Sequence, residues 1–340
     1  MTSTPQRHAR RKHVFPGFLI AALALFGAGC GSHVSNDGPH APIRLGSYEW
    51  PGSYWIDVAW EKGWFREAGL NVERIDTNLK YVKSLDSVAE GTIDGTGFAQ
   101  FDLVRHVASG HDLVGVAAFD YSEGAEALIA KAGYRHLREL RGKRIALARG
   151  TYLEFLFNVI AEREGLSVDE FQLVEGESLK AIADLKDGTV DAIFVWEPYA
   201  TQAKEQTGGV ALFSTADFPG LAYTVLAFRR QFVESRPDDV VALLRVWQRT
   251  VDYIRENPKE ACAIVSRLVN DPLPYVQDMM TKDRILDLPD NSRAFSYAAG
   301  YESLHGSWRR MNDFMIEHGL VSTRVESPAH LDARFLHALD

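Results

Sequence analysis

Hydrophobic and polar positions between residues 43 and 75 predict a strand, a loop, a helix and a second strand. Ile43 and Leu45 alternate with polar residues, which is typical of a half-buried strand. Pro51 and Gly52 interrupt regular structure, and helical spacing begins after them. Such a βαβ unit forms a parallel sheet, and ligands of these sheets bind outside the carboxyl ends of the strands. We therefore expect the loop 47–54, rich in aromatic and acidic residues, to face a ligand.

One short turn occurs twice in the chain, ninety-seven residues apart. Gly91-Thr92-Ile93-Asp94 and Gly188-Thr189-Val190-Asp191 each end a helical stretch and lead into a short apolar strand. This turn is common between helices and strands, so the match alone leaves the alternative of coincidence open. With its matching surroundings, the turn predicts two similar α/β lobes and a ligand held between them.

The order of the predicted elements divides the chain into five segments. Two apolar strands, at 114–119 and 223–228, are predicted to connect the lobes. From Pro237 onward, apolar residues recur at three- and four-residue steps, which predicts helices that act as scaffold. The predicted segments are a signal peptide (1–29), a tether (30–42), the first part of lobe one (43–128), lobe two (129–224) and the return to lobe one (225–340).

The first thirty residues predict export. Four basic residues precede an apolar run at 18–26, which is shorter than the about 20 apolar residues that span a bilayer. Small residues then precede Cys30, as in a lipoprotein cleavage site, although Gly27 stands where such sites usually carry leucine. A simple secretory signal with an incidental cysteine is the alternative. We expect a periplasmic or extracytoplasmic protein that a lipid on Cys30 anchors to a membrane.

Composition narrows the function classes. The chain has 340 residues, of which 46% are hydrophobic and 24% charged, as in a globular protein of two domains. Its net charge of −9 argues against nucleic acid as a partner, because phosphate binding needs basic patches. Cys30 and Cys262 are the only cysteines and the eleven histidines are scattered. We therefore expect no structural disulfide, no metal site and no cofactor.

Several motifs resemble those of a known family. Trp50-Pro51-Gly52-Ser53-Tyr54, Gly63-Trp64-Phe65 and Gly69-Leu70-Asn71-Val72 resemble the opening of solute-binding proteins of ABC importers for nitrate, sulfonates, taurine and thiamine-precursor pyrimidines. The segment 137–148 resembles the start of their second lobe. The resemblance implies a type II periplasmic-binding-protein fold. Each of its two lobes is a mostly parallel sheet flanked by helices, and the C-terminal helices pack on lobe one.

The resemblance also implies a binding protein without catalysis. Such a protein closes around a small molecule at a hinge and delivers it to ABC permease subunits, and we expect a monomer. The chain lacks G-x-S-x-G, H-E-x-x-H and P-loop motifs, and also the cysteine- and histidine-rich iron site of the related pyrimidine-precursor synthases. Ligand sensing with a membrane receptor, rather than import, is the alternative that the sequence leaves open.

Ligand contacts are expected at strand ends and in loops that face the crevice. Pro198 ends a strand after Glu197, whose carboxylate could pair with a ligand amine or serve only as a cap. Thr151 follows a glycine turn at a helix N-terminus, which attracts anions, but it could simply cap that helix. The full set of predicted contacts is Glu49, Trp50, Tyr54, Gln100, Asp120, Tyr121, Thr151, Tyr152, Trp196, Glu197 and Tyr223.

These residues have mixed chemistry. Glu49, Asp120 and Glu197 favour a positive or hydrogen-donating ligand, whereas the turn 149–151 favours an anionic end. A taurine-like amino-sulfonate or another small zwitterion satisfies both requirements. We rank it ahead of an aminopyrimidine, which would stack on the aromatic residues, and both ahead of nitrate.

Overall fold

The computed structural model describes residues 41–77 and 81–339, with the backbone alone at 81 and 82. The predicted signal peptide, Cys30 and most of the predicted tether lie outside the described residues. Every helix within these ranges is too short or too polar to cross a membrane.

Eleven strands in the described residues form two sheets. The strands are β1 (Ile43–Ser47), β2 (Val72–Asp76), β3 (Gly95–Ala99), β4 (Leu113–Ser122), β5 (Glu126–Ala130), β6 (Arg144–Leu147), β7 (Gln172–Glu175), β8 (Ala192–Trp196), β9 (Val210–Ser214), β10 (Tyr223–Arg229) and β11 (Asp283–Ile285). The first sheet has the order β11-β4-β10-β3-β1-β2, and the second has the order β7-β6-β8-β5-β9. We refer to them as the sheets of lobe one and lobe two.

Fourteen α-helices lie in the same part of the chain. They are α1 (Tyr54–Lys62), α2 (Trp64–Glu67), α3 (Tyr81–Glu90), α4 (Gln100–Ala108), α5 (Tyr152–Arg163), α6 (Ser178–Asp187), α7 (Tyr199–Thr207), α8 (Arg230–Ser235), α9 (Pro237–Glu256), α10 (Pro258–Val269), α11 (Leu273–Met279), α12 (Leu288–Ala294), α13 (Leu304–Glu317) and α14 (Arg334–His337). Helices α9 and α10 pack on α1, and α13 packs on α4, so the C-terminal helices cover lobe one as predicted.

Both sheets are mixed, because each contains a strand that arrives from the other lobe. Strands β1, β2, β3 and β4 point the same way, and β10 runs between β3 and β4 in the opposite direction. In lobe two, β5 likewise runs antiparallel to its neighbours β8 and β9. A chain that crosses from one sheet to the other enters the second sheet with reversed direction. The expectation of mostly parallel sheets therefore holds for β1–β4 and for β6–β9, whereas the short edge strand β11 of lobe one also runs antiparallel, to β4.

The repeated turn has the same structural role in both lobes. The Asp94 N–H donates to the Arg44 carbonyl (2.9 Å), and the Arg44 N–H donates back to the Asp94 carboxylate (2.8 Å). Asp191 and Arg144 make the matching pair of hydrogen bonds, at 2.8 and 3.2 Å. Arg44 lies in β1 and Arg144 in β6, the second strand from the edge of its sheet in each case. The aspartate of the motif thus ties each returning turn to the start of a central strand.

Two crossovers connect the lobes, and Thr215 ties them together. The chain leaves β4 at Ser122 and enters β5 at Glu126, and it returns through residues 215–222. The Thr215 hydroxyl lies 2.8 Å from the Ser122 hydroxyl, accepts from the Gly124 N–H (2.9 Å) and donates to Glu126 (3.1 Å). Both crossovers lie several residues before the predicted boundaries at 128/129 and 224/225. The division into lobes, tether and signal peptide at those exact residues stays a prediction.

Side chains of α12 and the C-terminal segment complete the outer edge of β4. Strand β11 pairs with this edge only at 120–122, and the chain near Leu331 bridges to Gly115. Between them, the Asn291 carboxamide accepts from the Ala118 N–H (2.6 Å) and donates to the Ala118 carbonyl (2.8 Å). Asn291 is fully buried. It therefore replaces a neighbouring strand at a position where both backbone groups would otherwise be buried and unpaired.

Replacing Asn291 by alanine should lower the free energy of unfolding by about 1–3 kcal/mol, because the Ala118 N–H and carbonyl lose their partners. Urea denaturation of Asn291→Ala and of the wild type measures this loss. Ser292→Ala, at an exposed position of the same helix, is the matched control and should change the free energy by less than about 0.5 kcal/mol. Equal effects of the two substitutions would contradict the role of Asn291.

Candidate functional site

The loop between β1 and α1 covers the ends of β4 and β11. Pro51–Ser53 form one turn of 3-10 helix, closed by a hydrogen bond from the Ser53 N–H to the Trp50 carbonyl (2.8 Å). A side chain at Gly52 would place its Cβ 1.7 Å from the Asp120 carboxylate. Glycine is therefore required at this position, because the backbone of the turn rests directly on that carboxyl group.

Asp120 and Asp283 form a buried pair of carboxyl groups under this loop. Asp120 ends the apolar part of β4 and is 0% exposed, and Asp283 begins β11 and is 7% exposed. None of their four carboxyl oxygens makes a hydrogen bond of standard geometry within the described residues. Burial raises the pKa of Asp120 to about 6, although the Thr224 and Trp50 donors oppose the shift. Burial, and then the charge of Asp120, raises the pKa of Asp283 well above its usual range.

A second pair of carboxyl groups lies at the other end of the loop. Glu49 is half-buried beside Asp271, which lies between α10 and α11. Burial and then Asp271 raise the pKa of Glu49 to about 7, and the Tyr275 hydroxyl opposes this shift. The Tyr54 hydroxyl belongs to the same region, and its pKa is raised by burial and then by the charges of Tyr275 and Glu49.

Neither carboxyl pair has a basic partner among the ion pairs of the described residues. The adjacent Lys282 is engaged elsewhere, because its ammonium group lies 2.6 Å from both Glu197 and Asp278. Four carboxyl groups therefore border the loop 48–54, and the described part of the chain supplies no basic ion-pair partner for them. Such a surface attracts cations and hydrogen-bond donors and repels free anions.

Aromatic side chains line the strand ends of lobe two and the crossovers. The rings of Tyr152 and Trp196 stack with their centres 6.3 Å apart and their planes at 21°. The Tyr152 hydroxyl donates to Glu126 (2.7 Å), which positions this pair beside the crossover. Tyr121 and Tyr223 meet edge to face on the two crossing strands, at 5.7 Å, and the Tyr223 hydroxyl donates to the Glu302 carbonyl (3.0 Å).

The predicted anion site at the start of α5 is occupied by the protein itself. Thr151 caps the helix: its hydroxyl accepts from the Leu153 N–H (3.2 Å) and donates to the Ala148 carbonyl (2.7 Å). The buried Glu154 carboxylate accepts from the Gly150 N–H (2.7 Å) and pairs with Arg149 (2.6 Å). The charge and donors that would attract an anion already bind Glu154 in this structure, and an anionic ligand at this turn stays a prediction.

Two further predicted contacts also use their polar groups inside the protein. The Gln100 carboxamide donates to the Leu304 carbonyl (2.6 Å) and accepts from the Ser307 hydroxyl (2.7 Å), so it joins α4 to α13. Glu197 accepts from the Thr201 N–H (3.0 Å) and hydroxyl (2.9 Å) at the start of α7. Together with Lys282, these contacts make Glu197 a cap and a link between the lobes, and its role in binding stays a prediction.

The structure brings four predicted residues together on lobe one, Glu49, Trp50, Tyr54 and Asp120, and two on lobe two, Tyr152 and Trp196. Sequence reasoning missed Asp271, Tyr275 and Asp283, the partners of the first group. They lie in short segments after α10, where no hydrophobic periodicity or motif marks them. Only the three-residue pairing of β11 with β4 places Asp283 beside Asp120.

Comparisons with known proteins agree with this architecture. The family described as NMT1/THI5 like matches residues 50–261, which is more than half of the chain. The chain belongs to the NMT1/THI5-like family. This result confirms the resemblance drawn from the loop and helix motifs.

Individual relatives of this NMT1/THI5-like chain include binding proteins. A Bacillus subtilis (strain 168) protein named as an aliphatic sulfonates-binding protein is 26% identical over 275 residues, which cover 77% of this chain and 80% of that protein. A Haemophilus influenzae protein named as a thiamine biosynthesis protein is 25% identical over 285 residues, or 82% of this chain and 87% of that protein.

A solved structure shows the same fold. The periplasmic aliphatic sulphonate binding protein SsuA from Escherichia coli superposes with a TM-score of 0.69 at 18% identity, covering 84% of this chain and 96% of that chain. This similarity confirms the periplasmic-binding-protein fold of the NMT1/THI5-like chain.

The Asp120–Asp283 pair should make stability depend on pH. The folded-state pKa of Asp120 is raised from 3.8 to about 6, so the stability that its protonated form contributes is lost as the pH rises through this window. The double variant Asp120→Asn/Asp283→Asn should therefore gain melting temperature relative to the wild type between about pH 4 and about pH 7. Glu256→Gln, at an exposed position, is the control. If the melting temperatures of the double variant and the wild type changed with pH in the same way across this range, the pair could not be the cause of the pH dependence.

Glu154 should block anion binding at α5. In Glu154→Ala, the Gly150 N–H and Arg149 lose their carboxylate, so inorganic sulfate should raise the melting temperature of this variant more than that of the wild type. Sodium chloride of equal ionic strength controls for screening, and Glu164→Ala, at the other end of the helix, controls for loss of charge. An equal response of all three proteins to sulfate would exclude a latent anion site here.

Proposed function

We propose that this protein is an extracytoplasmic solute-binding protein that captures a small molecule between its two lobes. The observation that carries the proposal is the set of buried polar groups without hydrogen-bond partners where the strand ends of lobe one meet the loop 48–54. They include the Tyr54 hydroxyl and one carboxylate oxygen of Asp271. Buried polar atoms are rarely left unpaired in folded proteins, so a bound solute accounts for their presence.

The two crossovers supply the motion that such a function needs. They are short, lie side by side and are linked by Thr215. Rotation about a few residues at such crossovers is the usual way in which two lobes close around a ligand. The pair Glu197–Lys282 and the pair Glu162–Arg310 (3.0 Å) connect elements of lobe two to elements of lobe one, and both support the closed arrangement.

The ligand that we propose is a taurine-like amino-sulfonate or another small zwitterion. The names of the relatives support a sulfonate, and the unneutralised carboxyl groups of this chain support an amine on the same molecule. Nitrate and simple alkanesulfonates carry no group that could offset these acids.

A thiamine-precursor pyrimidine is the second candidate, because two observations favour it. Stacked rings such as those of Tyr152 and Trp196 offer a face to a flat heterocycle, and the carboxyl groups of lobe one accept hydrogen bonds from amino and ring nitrogens. The relative named as a thiamine biosynthesis protein supports the same candidate.

The proposed partners follow from this role. The closed protein would deliver its ligand to the permease subunits of an ABC transporter, and the lipid on Cys30 would keep the monomer at the membrane. A membrane receptor that senses the loaded protein is the alternative partner. We propose no catalytic activity.

A thermal-shift screen of residues 37–340 tests the proposal. Taurine, alkanesulfonates, nitrate and aminopyrimidines are the probes. A true ligand at one hundred times its dissociation constant should stabilise the protein by about 2.7 kcal/mol. Trp196→Ala removes one ring of the stack and should reduce the shift, whereas Trp60→Ala, at an exposed position, should not. Failure of every probe to stabilise the protein would contradict the proposed ligand classes.

A further inference from the structure

Four side chains form a cluster at the edge of the loop 48–54, which we name the rim cluster. Glu49 follows β1, Tyr54 begins α1, Asp271 follows α10 and Tyr275 lies in α11. Glu49 lies within hydrogen-bonding reach of both Asp271 and Tyr275, and the Tyr54 hydroxyl faces the charges of the other three. Helix α11, which carries Tyr275, is connected to lobe two, because Lys282 lies 2.6 Å from both Asp278 of α11 and Glu197, so the rim cluster lies near the crevice between the lobes.

Within residues 41–77 and 81–339, the rim cluster has no basic side chain as an ion-pair partner. Two carboxyl groups in contact cannot both ionise without a large repulsion unless a cation lies between them. None of the ion pairs of the described residues involves Glu49 or Asp271, and one oxygen of Asp271 is buried without a hydrogen-bond partner. Burial first, and then the neighbouring Asp271, raises the pKa of Glu49 to about 7.

A second, independent observation points to a ligand at this place. The Tyr54 side chain is only 1% exposed, yet its hydroxyl makes no hydrogen bond of standard geometry in the described part of the chain. A buried hydroxyl without a partner is costly, typically about 1–3 kcal/mol. A polar group that enters the rim cluster would satisfy Tyr54 and Asp271 together.

We propose that the rim cluster is a cation subsite, which receives an ammonium or amidinium group of the bound solute. This inference rests on the proposed function, and it narrows the ligand to molecules that carry such a group. An ammonium group carries a positive charge and donates several hydrogen bonds. Two carboxylates and a tyrosine oxygen can accept these hydrogen bonds, and the carboxylates offset the charge. The rings of Tyr54 and Tyr275 add the affinity of aromatic faces for cations.

The residues around the rim cluster also favour a cationic group over an anionic one. On the other side of the same loop, the buried Asp120–Asp283 pair adds negative potential. The helix N-terminus of α5 that could have held an anion is already closed by Glu154. Recognition by this chain therefore depends on the nitrogen of the solute. A sulfonate without nitrogen would meet only carboxyl groups at the loop 48–54, which repel it.

Three probes that differ in one group test the subsite. Taurine carries both an ammonium and a sulfonate group, ethanesulfonate lacks the nitrogen, and ethylammonium lacks the sulfonate. Calorimetric titration and thermal shift are applied to the wild type, to Glu49→Gln/Asp271→Asn and to Tyr54→Phe. The matched control is Glu234→Gln/Glu256→Gln, which removes two exposed carboxylates from the same lobe.

We expect taurine to bind the wild type and the control equally and Glu49→Gln/Asp271→Asn at least tenfold more weakly, with Tyr54→Phe between them. Urea denaturation verifies that the variants fold. Because Glu49→Gln/Asp271→Asn removes a like-charged pair and keeps its shape, the variant should fold at least as stably as the wild type at neutral pH.

The possible outcomes distinguish a failure of the cation subsite from a failure of the proposed function. Equal affinity of the wild type for taurine and for ethanesulfonate would overturn the cation subsite and leave a sulfonate-binding protein. Ethylammonium binding that Glu49→Gln/Asp271→Asn abolishes, without any sulfonate binding, would support the subsite and overturn the sulfonate ligand. Unchanged taurine affinity in Glu49→Gln/Asp271→Asn overturns the subsite, and the absence of binding by all three probes counts against both proposals.

Discussion

The arrangement of this protein depends on carboxyl groups that are buried or half-buried and have no basic ion-pair partner among the described residues. The loop 48–54 can rest on Asp120 because Gly52 has no side chain, and burial raises the pKa of both Asp120 and Asp283. The same loop presents Glu49 to Asp271 at its other end. Buried carboxyl groups of this kind cost stability, which is why we propose that they serve ligand binding.

The two lobes are variations on one unit. In both, an aspartate after a glycine turn pairs with the backbone at the start of a central strand, and a strand from the other lobe completes the sheet. The lobes differ at the crevice. Lobe one presents acids and lobe two presents stacked rings, and we propose that each lobe recognises a different part of one small molecule.

The sequence predicted the fold more completely than the site. Strand alternation, glycine turns and the repeated turn depend on neighbouring residues, and they placed both lobes and the crossovers within a few residues. The site depends on contacts between distant segments: Asp283 reaches Asp120 through a three-residue strand, and Glu154 closes the turn at Gly150 from within α5. No local pattern reveals such contacts, and for this reason Thr151 was expected to be open to a ligand and Asp271 was not considered.

The most direct measurement is a crystal structure of residues 37–340 with taurine. The account predicts taurine between the lobes, with its nitrogen in hydrogen-bonding contact with Glu49 and Asp271 and near the Tyr54 hydroxyl. A sulfonate group placed against these carboxyl groups would contradict the account, and so would taurine bound outside the crevice.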